Sequence, residues 1–108
     1  MSASLSLTLR RLAGPSQQVA YTGTAGVIAT KLPANCNAVM CWISTQGYIA
    51  VGAGASLAAT TTSCPMPAGM PVIFPVERPT APGVDQDMYV SAIRDSASGT
   101  LYVQPLAD

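Results

Sequence analysis

Residues 48–105 contain the segments YIAVG (48–52), GASLAATTTSC (54–64), PMPAGMPVIFPV (65–76) and MYVSAIRDSASGTLYVQP (88–105). Short apolar runs alternate there with clusters of Gly, Pro, Ser and Thr at near-regular intervals, a pattern typical of small all-β sandwiches. No segment of the chain keeps a helical apolar period. The sequence therefore predicts an all-β fold: a small two-sheet antiparallel β-sandwich, jelly-roll-like, with an extended N-terminal arm.

The segment AVMCWIST (38–45) has the strongest strand pattern. Apolar residues alternate onto both of its faces, which predicts a central strand covered on each side, with Trp42 and Ile43 buried. A turn at Gln46-Gly47 predicts a hairpin with the following strand, and the segment 95–99 predicts a second short hairpin loop.

The N-terminal segment shows a strand-like alternation of its own. Leucines recur at every second position from residue 5 to residue 9, and Gly14-Pro15 ends the pattern. We therefore predict an arm over residues 1–14 and one β-sandwich domain over 15–108. The arm is expected to add a strand to a neighbour's sheet edge. Its candidate contacts with a neighbouring subunit or another partner are Leu5, Leu7, Leu9, Arg10 and Arg11.

Composition restricts the possible partners. Charged residues make up 9% of the chain, hydrophobic residues 49%, and the net charge is zero. Nucleic-acid binding needs clustered Lys and Arg and is not expected. Membrane insertion is not expected either, because no run of about 18 apolar residues occurs. Scarce charge favours association. No secretory signal pattern is present, so synthesis in the cytoplasm is expected.

Residues that could perform catalysis are few. The chain has no His, so a Ser or Cys nucleophile would lack its usual base, and Lys31 is the only lysine. Asp85 and Asp87 are expected to form a solvated acidic loop, since a calcium loop needs more ligands at fixed offsets. No nucleotide-binding glycine pattern occurs. The sequence therefore predicts no enzyme, no catalytic or metal site, no cofactor and no small-molecule substrate.

Three cysteines, Cys36, Cys41 and Cys64, form no C-x-x-C pair. An odd number argues against a closed disulfide framework. On a continuous strand Cys36 and Cys41 would point to opposite faces and lie too far apart to bridge. Three small, buried and unpaired thiols are expected.

The second half of the chain resembles small structural proteins of tailed bacteriophages. The similarity rests on YIAVG, then ATTTS, then PAGMPVIFPV, then VSAIRDSASGTLYVQPL, and covers roughly residues 48–106. Proteins of this kind have β-sandwich folds and are virion components, often of the head. The resemblance implies a capsid decoration (cement) protein on the capsid surface. It would bind the major capsid protein and itself, with a trimer favoured by analogy with other decoration proteins.

Other interpretations remain open at this point. A neck, tail or fibre-base protein would also be a virion component. A carbohydrate-binding β-sandwich at the host surface would need exposed aromatic residues and acids on one face. The exposure of Trp42 and Tyr48 separates that module from the decoration protein, for which both are expected in the core or in cross-strand pairs.

Overall fold

The computed structural model describes residues 11–78, 82–83 and 86–107 and shows an all-β chain of two antiparallel sheets. No helix occurs among these residues. Their strands are β1 (Arg11–Leu12), β2 (Gln17–Tyr21), β3 (Gly26–Val27), β4 (Ala38–Ile43), β5 (Gly47–Ala53), β6 (Cys64–Met66), β7 (Val72–Pro75), β8 (Met88–Arg94) and β9 (Gly99–Ala107). The predicted two-sheet β-sandwich is confirmed.

The strand order identifies the topology. One sheet runs β1-β9-β4-β7, with β2 also paired to β9, and the other runs β3-β8-β5-β6. Each strand from β2 to β5 therefore pairs with a strand of the second half of the chain, in reverse order: the antiparallel pairs are β2–β9, β3–β8, β4–β7 and β5–β6. A long hairpin wound into two sheets in this way is a jelly roll.

Strands β1 and β2 form one interrupted edge along β9. Leu12 pairs with Leu106, and Gln17 pairs with Val103. Leu12 and Gln17 are five residues apart in the chain, whereas their partners on β9 are three residues apart. Two extra residues therefore form a bulge around Gly14. The Gly14 carbonyl accepts a hydrogen bond from Nε2 of Gln104 at 3.0 Å. The Gly14-Pro15 break therefore does not release residues 11–13 from the body; the rest of the predicted arm, residues 1–10, lies outside the described residues.

The core lies between the two sheets and follows the alternation of the strands. Every second residue of β4 and β9 points inward and is completely buried, as are their counterparts in the facing sheet. The inward set comprises Val39, Cys41, Ile43, Leu101 and Val103 from one sheet, and Ile49, Val90 and Ala92 from the other.

The two predicted hairpins are wrong. Strand β4 belongs to the five-stranded sheet and β5 to the other, so residues 44–46 carry the chain between sheets. Residues 95–98 do the same between β8 and β9, as do residues 22–25 between β2 and β3. A short polar turn reverses the chain equally well within a sheet or across the gap of about 10 Å between two sheets. The turn residues therefore do not reveal which connection forms.

Strand β6 was not predicted. Its residues Cys64–Met66 pair with β5, and no pattern in the sequence pointed to a strand there. The strand is only three residues long and forms the outer edge of its sheet, where the missing N–H of Pro65 is tolerated.

Candidate interaction surface

The outer face of the five-stranded sheet carries cross-strand rows of side chains. Paired residues share a face, so the register of β9 with its neighbours defines each row. The first row is Leu12, Leu106, Ala38 and Pro75; the second is Gln104, Met40 and Ile73; the third is Gln18, Tyr102 and Trp42. We call the first two rows together the apolar rows.

The apolar rows are most exposed at their ends. Leu12 on one edge of the sheet has 68% of its surface exposed, and Ile73 on the other edge has 46%. Met40 between them is half-buried, and Pro75 is exposed. Leu106 and Ala38, in the middle of the first row, are buried. Large exposed apolar side chains at the two edges of one sheet face, Leu12 on β1 and Ile73 beside Pro75 on β7, are candidate contacts with other macromolecules.

The third row contains a stacked aromatic pair. The rings of Trp42 and Tyr102 lie with centroids 5.3 Å apart and planes inclined by 10°. A cavity of about 290 Å³ adjoins the pair and is lined by Ser16, Gln17, Gln18, Trp42 and Tyr102. The row therefore differs from the apolar rows in offering aromatic rings beside polar side chains.

Ile43 is buried as predicted, and Trp42 is mostly buried but retains some exposure. Ile43 faces the core and is 0% exposed, whereas the Trp42 side chain lies on the outer face and is partly exposed. Strand β4 is central in its sheet, and the cover of its outer face is uneven: Ala38 is buried there, whereas Met40 and Trp42 are only partly covered. Apolar residues on both faces of a strand indicate an unpaired apolar surface as readily as burial on both sides, and here Tyr102 supplies the partial cover.

The predicted contact residues fall mostly outside the description. Leu5, Leu7, Leu9 and Arg10 lie in residues 1–10, which the structure does not describe. Arg11 belongs to β1, is exposed, and pairs with Ala107 of β9. The described part of the predicted arm is thus a short edge strand that adjoins the apolar rows through Leu12.

Tyr48 and the acidic residues do not join the aromatic row. Tyr48 lies on β5, in the opposite sheet, and its hydroxyl donates to Oδ1 of Asp95 at 3.1 Å. This hydrogen bond, together with the carboxylate charge, raises the pKa of Tyr48. Asp87 pairs with Lys31, with Nζ and Oδ1 3.3 Å apart. Tyr48 and Asp95 thus bring an aromatic and an acidic side chain together on the opposite sheet, away from the Trp42–Tyr102 pair.

The turns that cross between the sheets form a connected end of the sandwich. The Tyr21 hydroxyl contacts the backbone of Thr45, and the Thr45 hydroxyl donates to the Ala97 carbonyl at 2.7 Å. The Ser44 hydroxyl accepts from the Thr100 amide at 2.8 Å. These side chains hold two of the crossing turns against the end of β2. Sequence reasoning missed the cluster, because isolated Tyr, Ser and Thr residues carry no spacing signal.

The cysteines differ in environment. Cys36 and Cys41 are buried, Cys64 is exposed, and all three are unpaired. The expectation of three buried thiols is wrong for Cys64, which lies on the edge strand β6. Cys36 lies in the turn before β4 and not on it, so the strand geometry invoked for the pair does not apply; both thiols belong to the same core. Burial, with a smaller contribution from Cys36, raises the pKa of Cys41 to about 12.

No family model, curated protein or solved structure matches this chain. Within the described ranges, no three His, Cys, Asp or Glu side chains lie together as a metal site. A helix long and apolar enough to cross a membrane is likewise not found in that part of the chain. The surface features that stand out are therefore the apolar rows and the aromatic row beside them.

Proposed function

We propose that the chain is a non-enzymatic virion structural protein, a decoration (cement) protein that binds the assembled head of a tailed phage. The observation that carries the proposal is the pair of apolar rows, exposed at Leu12 and Ile73 on opposite edges of one sheet. A chain with so few charges has little else on its surface to oppose association. The jelly roll is common among viral capsid domains, which supports the proposal by analogy.

The mechanism is mechanical. Both sheets bury their inner faces against each other, which gives a rigid body whose outer faces remain available. An oligomer of such bodies would span joints between major capsid subunits and bury surface there. Stable interfaces of this kind bury about 1,200–2,000 Å² in total. Subunits held together in this way resist the outward pressure of packaged DNA.

Binding to heads tests the proposal directly. Purified heads lacking the protein are mixed with it and sedimented, and Ile73→Asp is compared with Ser96→Asp. Ile73 lies in the apolar rows, whereas Ser96 is exposed in a crossing turn at the end of the sandwich. We expect wild type and Ser96→Asp to sediment with heads and Ile73→Asp to remain in the supernatant, with unchanged circular dichroism for all three.

A cryo-EM map of the virion then fixes the position of the chain. We expect jelly-roll density on the outer surface of the shell, repeated across the capsid. Density confined to the neck, tail or fibre base would overturn the decoration role and favour the other virion position. Failure of the wild-type protein to bind heads, together with its absence from virions, would reject both.

A further inference from the structure

The cavity beside the aromatic row has the dimensions and lining of a small ligand site. Its volume of about 290 Å³ is close to the lower end of the range for small-molecule pockets, about 300–1,000 Å³. Stacking against Tyr102 fixes the orientation of the Trp42 ring, with planes inclined by only 10°. Each ring therefore covers one face of the other, and the pair packs as one unit whose outer faces remain available.

The rest of the lining is polar. The Gln17 amide itself is directed to the other face of the sheet, because Gln17 pairs with the inward-facing Val103 and bonds there to the backbone of Thr30. The side chains of Ser16, Gln18 and Tyr102 make no hydrogen bond to any other residue that the structure describes, and neither does the indole N–H of Trp42. Donors and acceptors without a protein partner thus surround the rings.

We propose that this cavity binds a neutral saccharide. The C–H groups of a pyranose ring stack on the electron-rich face of an aromatic side chain, and an outer face of the Trp42–Tyr102 pair offers such a surface. The sugar hydroxyls would hydrogen-bond to the Gln18 amide, which has separate donor and acceptor groups. They would also bond to the Ser16 and Tyr102 hydroxyls, each of which can donate and accept. All the lining side chains are uncharged, which matches a neutral sugar and not an anionic one. This site is separate from the apolar rows and does not depend on the decoration role.

The lining also distinguishes a sugar from an apolar anchor of another protein. An apolar side chain seated in the cavity would cover Gln18 and Ser16 without giving them a hydrogen-bond partner, and burying an unpaired polar group costs free energy. A polyol contacts the rings with its C–H groups and the amides with its hydroxyls at the same time. The mixed lining therefore favours the polyol.

Trp42 is the only tryptophan of the chain, so its fluorescence reports on the site alone. The protein is titrated with neutral hexasaccharides of glucose, mannose, galactose and N-acetylglucosamine, each to roughly 10 mM, enough to detect a dissociation constant of about 1 mM. We expect a saturable change in Trp42 emission with at least one of them. The affinity should change less than about twofold when salt is raised tenfold, since no charged group lines the cavity.

Three variants locate the binding. Tyr102→Ala and Gln18→Ala should weaken the affinity by about tenfold and about threefold. Ser56→Ala, at an exposed position in the connection between β5 and β6, should leave it unchanged. Absence of any emission change with all four sugars, strong salt dependence, or equal weakening by Ser56→Ala would each overturn the proposal. An emission change that follows protein dilution instead of sugar would assign the aromatic row to self-association, which also overturns it.

Discussion

The phenol oxygen of Tyr21 donates to the Thr45 carbonyl oxygen at 2.6 Å and accepts from the Thr45 backbone N–H at 3.1 Å. The same oxygen lies 2.8 Å from the Thr45 hydroxyl. A single side chain at the end of β2 therefore satisfies both backbone groups of a residue in the turn between the two sheets. Thr45 lies outside the strands and has no partner strand for its backbone N–H and carbonyl, so the Tyr21 hydroxyl supplies both hydrogen bonds.

Tyr21→Phe removes these hydrogen bonds and keeps the ring in the core, where Tyr21 is 1% exposed. We expect a loss of about 1–3 kcal/mol in the free energy of unfolding, because the Thr45 backbone groups lose their partner. Urea denaturation measures it. Tyr89→Phe is the matched control, since the Tyr89 hydroxyl bonds to no other described residue, and it should change stability by less than about 0.5 kcal/mol. Equal effects of the two variants would contradict the assigned role of Tyr21.

Ser91 is a second polar anchor, completely buried on β8. Its hydroxyl donates to the Gly26 carbonyl at 2.8 Å and accepts from the Ala59 N–H at 3.0 Å. Ser91→Ala removes the partner of the buried Ala59 N–H and of the part-buried Gly26 carbonyl, and we expect a loss of about 1–3 kcal/mol in the free energy of unfolding. Ser56→Ala, an exposed serine in the same long connection as Ala59, is the control and should be nearly neutral. A loss below about 0.5 kcal/mol for Ser91→Ala would show that water replaces the hydroxyl.

The thiols should react in two classes. Cys64 is exposed, whereas Cys36 and Cys41 are buried. At pH 8 a disulfide reagent such as DTNB should modify one thiol rapidly in the native protein and all three after denaturation. Cys64→Ser should abolish the rapid phase. Rapid reaction of more than one thiol in the native wild type would show that the sandwich opens at the turn that holds Cys36.

The raised pKa of Cys41 also predicts a pH dependence of stability. The thiol ionises at about 12 in the folded protein and at about 9.0 when unperturbed. Its contribution to stability is therefore complete below pH 9 and is lost as pH rises towards 12, because the unfolded state releases the proton first. The limiting slope is about 1.4 kcal/mol per pH unit. Cys41→Ala should show a shallower decline over this interval in urea denaturation; identical slopes would contradict the assignment.

The sequence predicted the layers of this fold but not its connections. The apolar residues of segment 38–45 identified a central strand, but because they alternate onto both faces they did not show which face points inward. Sheet membership did not follow, since the turns after Ile43 and Arg94 read the same for a hairpin or a crossing. The partial exposure of Trp42 was not predicted either, because the exposure of a strand residue depends on which layer covers the strand and not on the strand's own sequence.

The candidate sites were even less visible in the sequence. Gln18, Tyr102 and Trp42 are far apart along the chain and meet only through the pairing of β2 and β4 with β9. A pattern within one strand cannot encode a row that runs across three strands. The predicted contacts at residues 5–11, by contrast, rested on local alternation and remain a prediction.

That prediction can be tested without disturbing the described fold. Arg11 and Leu12 pair with β9, so a deletion should stop at residue 10 and keep β1 intact. A segment with strand-like alternation at a sheet edge can pair with the edge of a neighbouring subunit. We expect the chain lacking residues 1–10 to keep its circular dichroism and its urea midpoint. In light scattering its oligomer should dissociate at a higher protein concentration than the wild-type oligomer does, and its binding to heads should weaken.

A full-length variant with Leu5, Leu7 and Leu9 replaced by Ser should behave like the deletion, because the apolar alternation and not the length carries the interaction. If both variants assemble and bind heads as wild type does, the arm has no part in assembly, and the apolar rows alone would have to supply the contact.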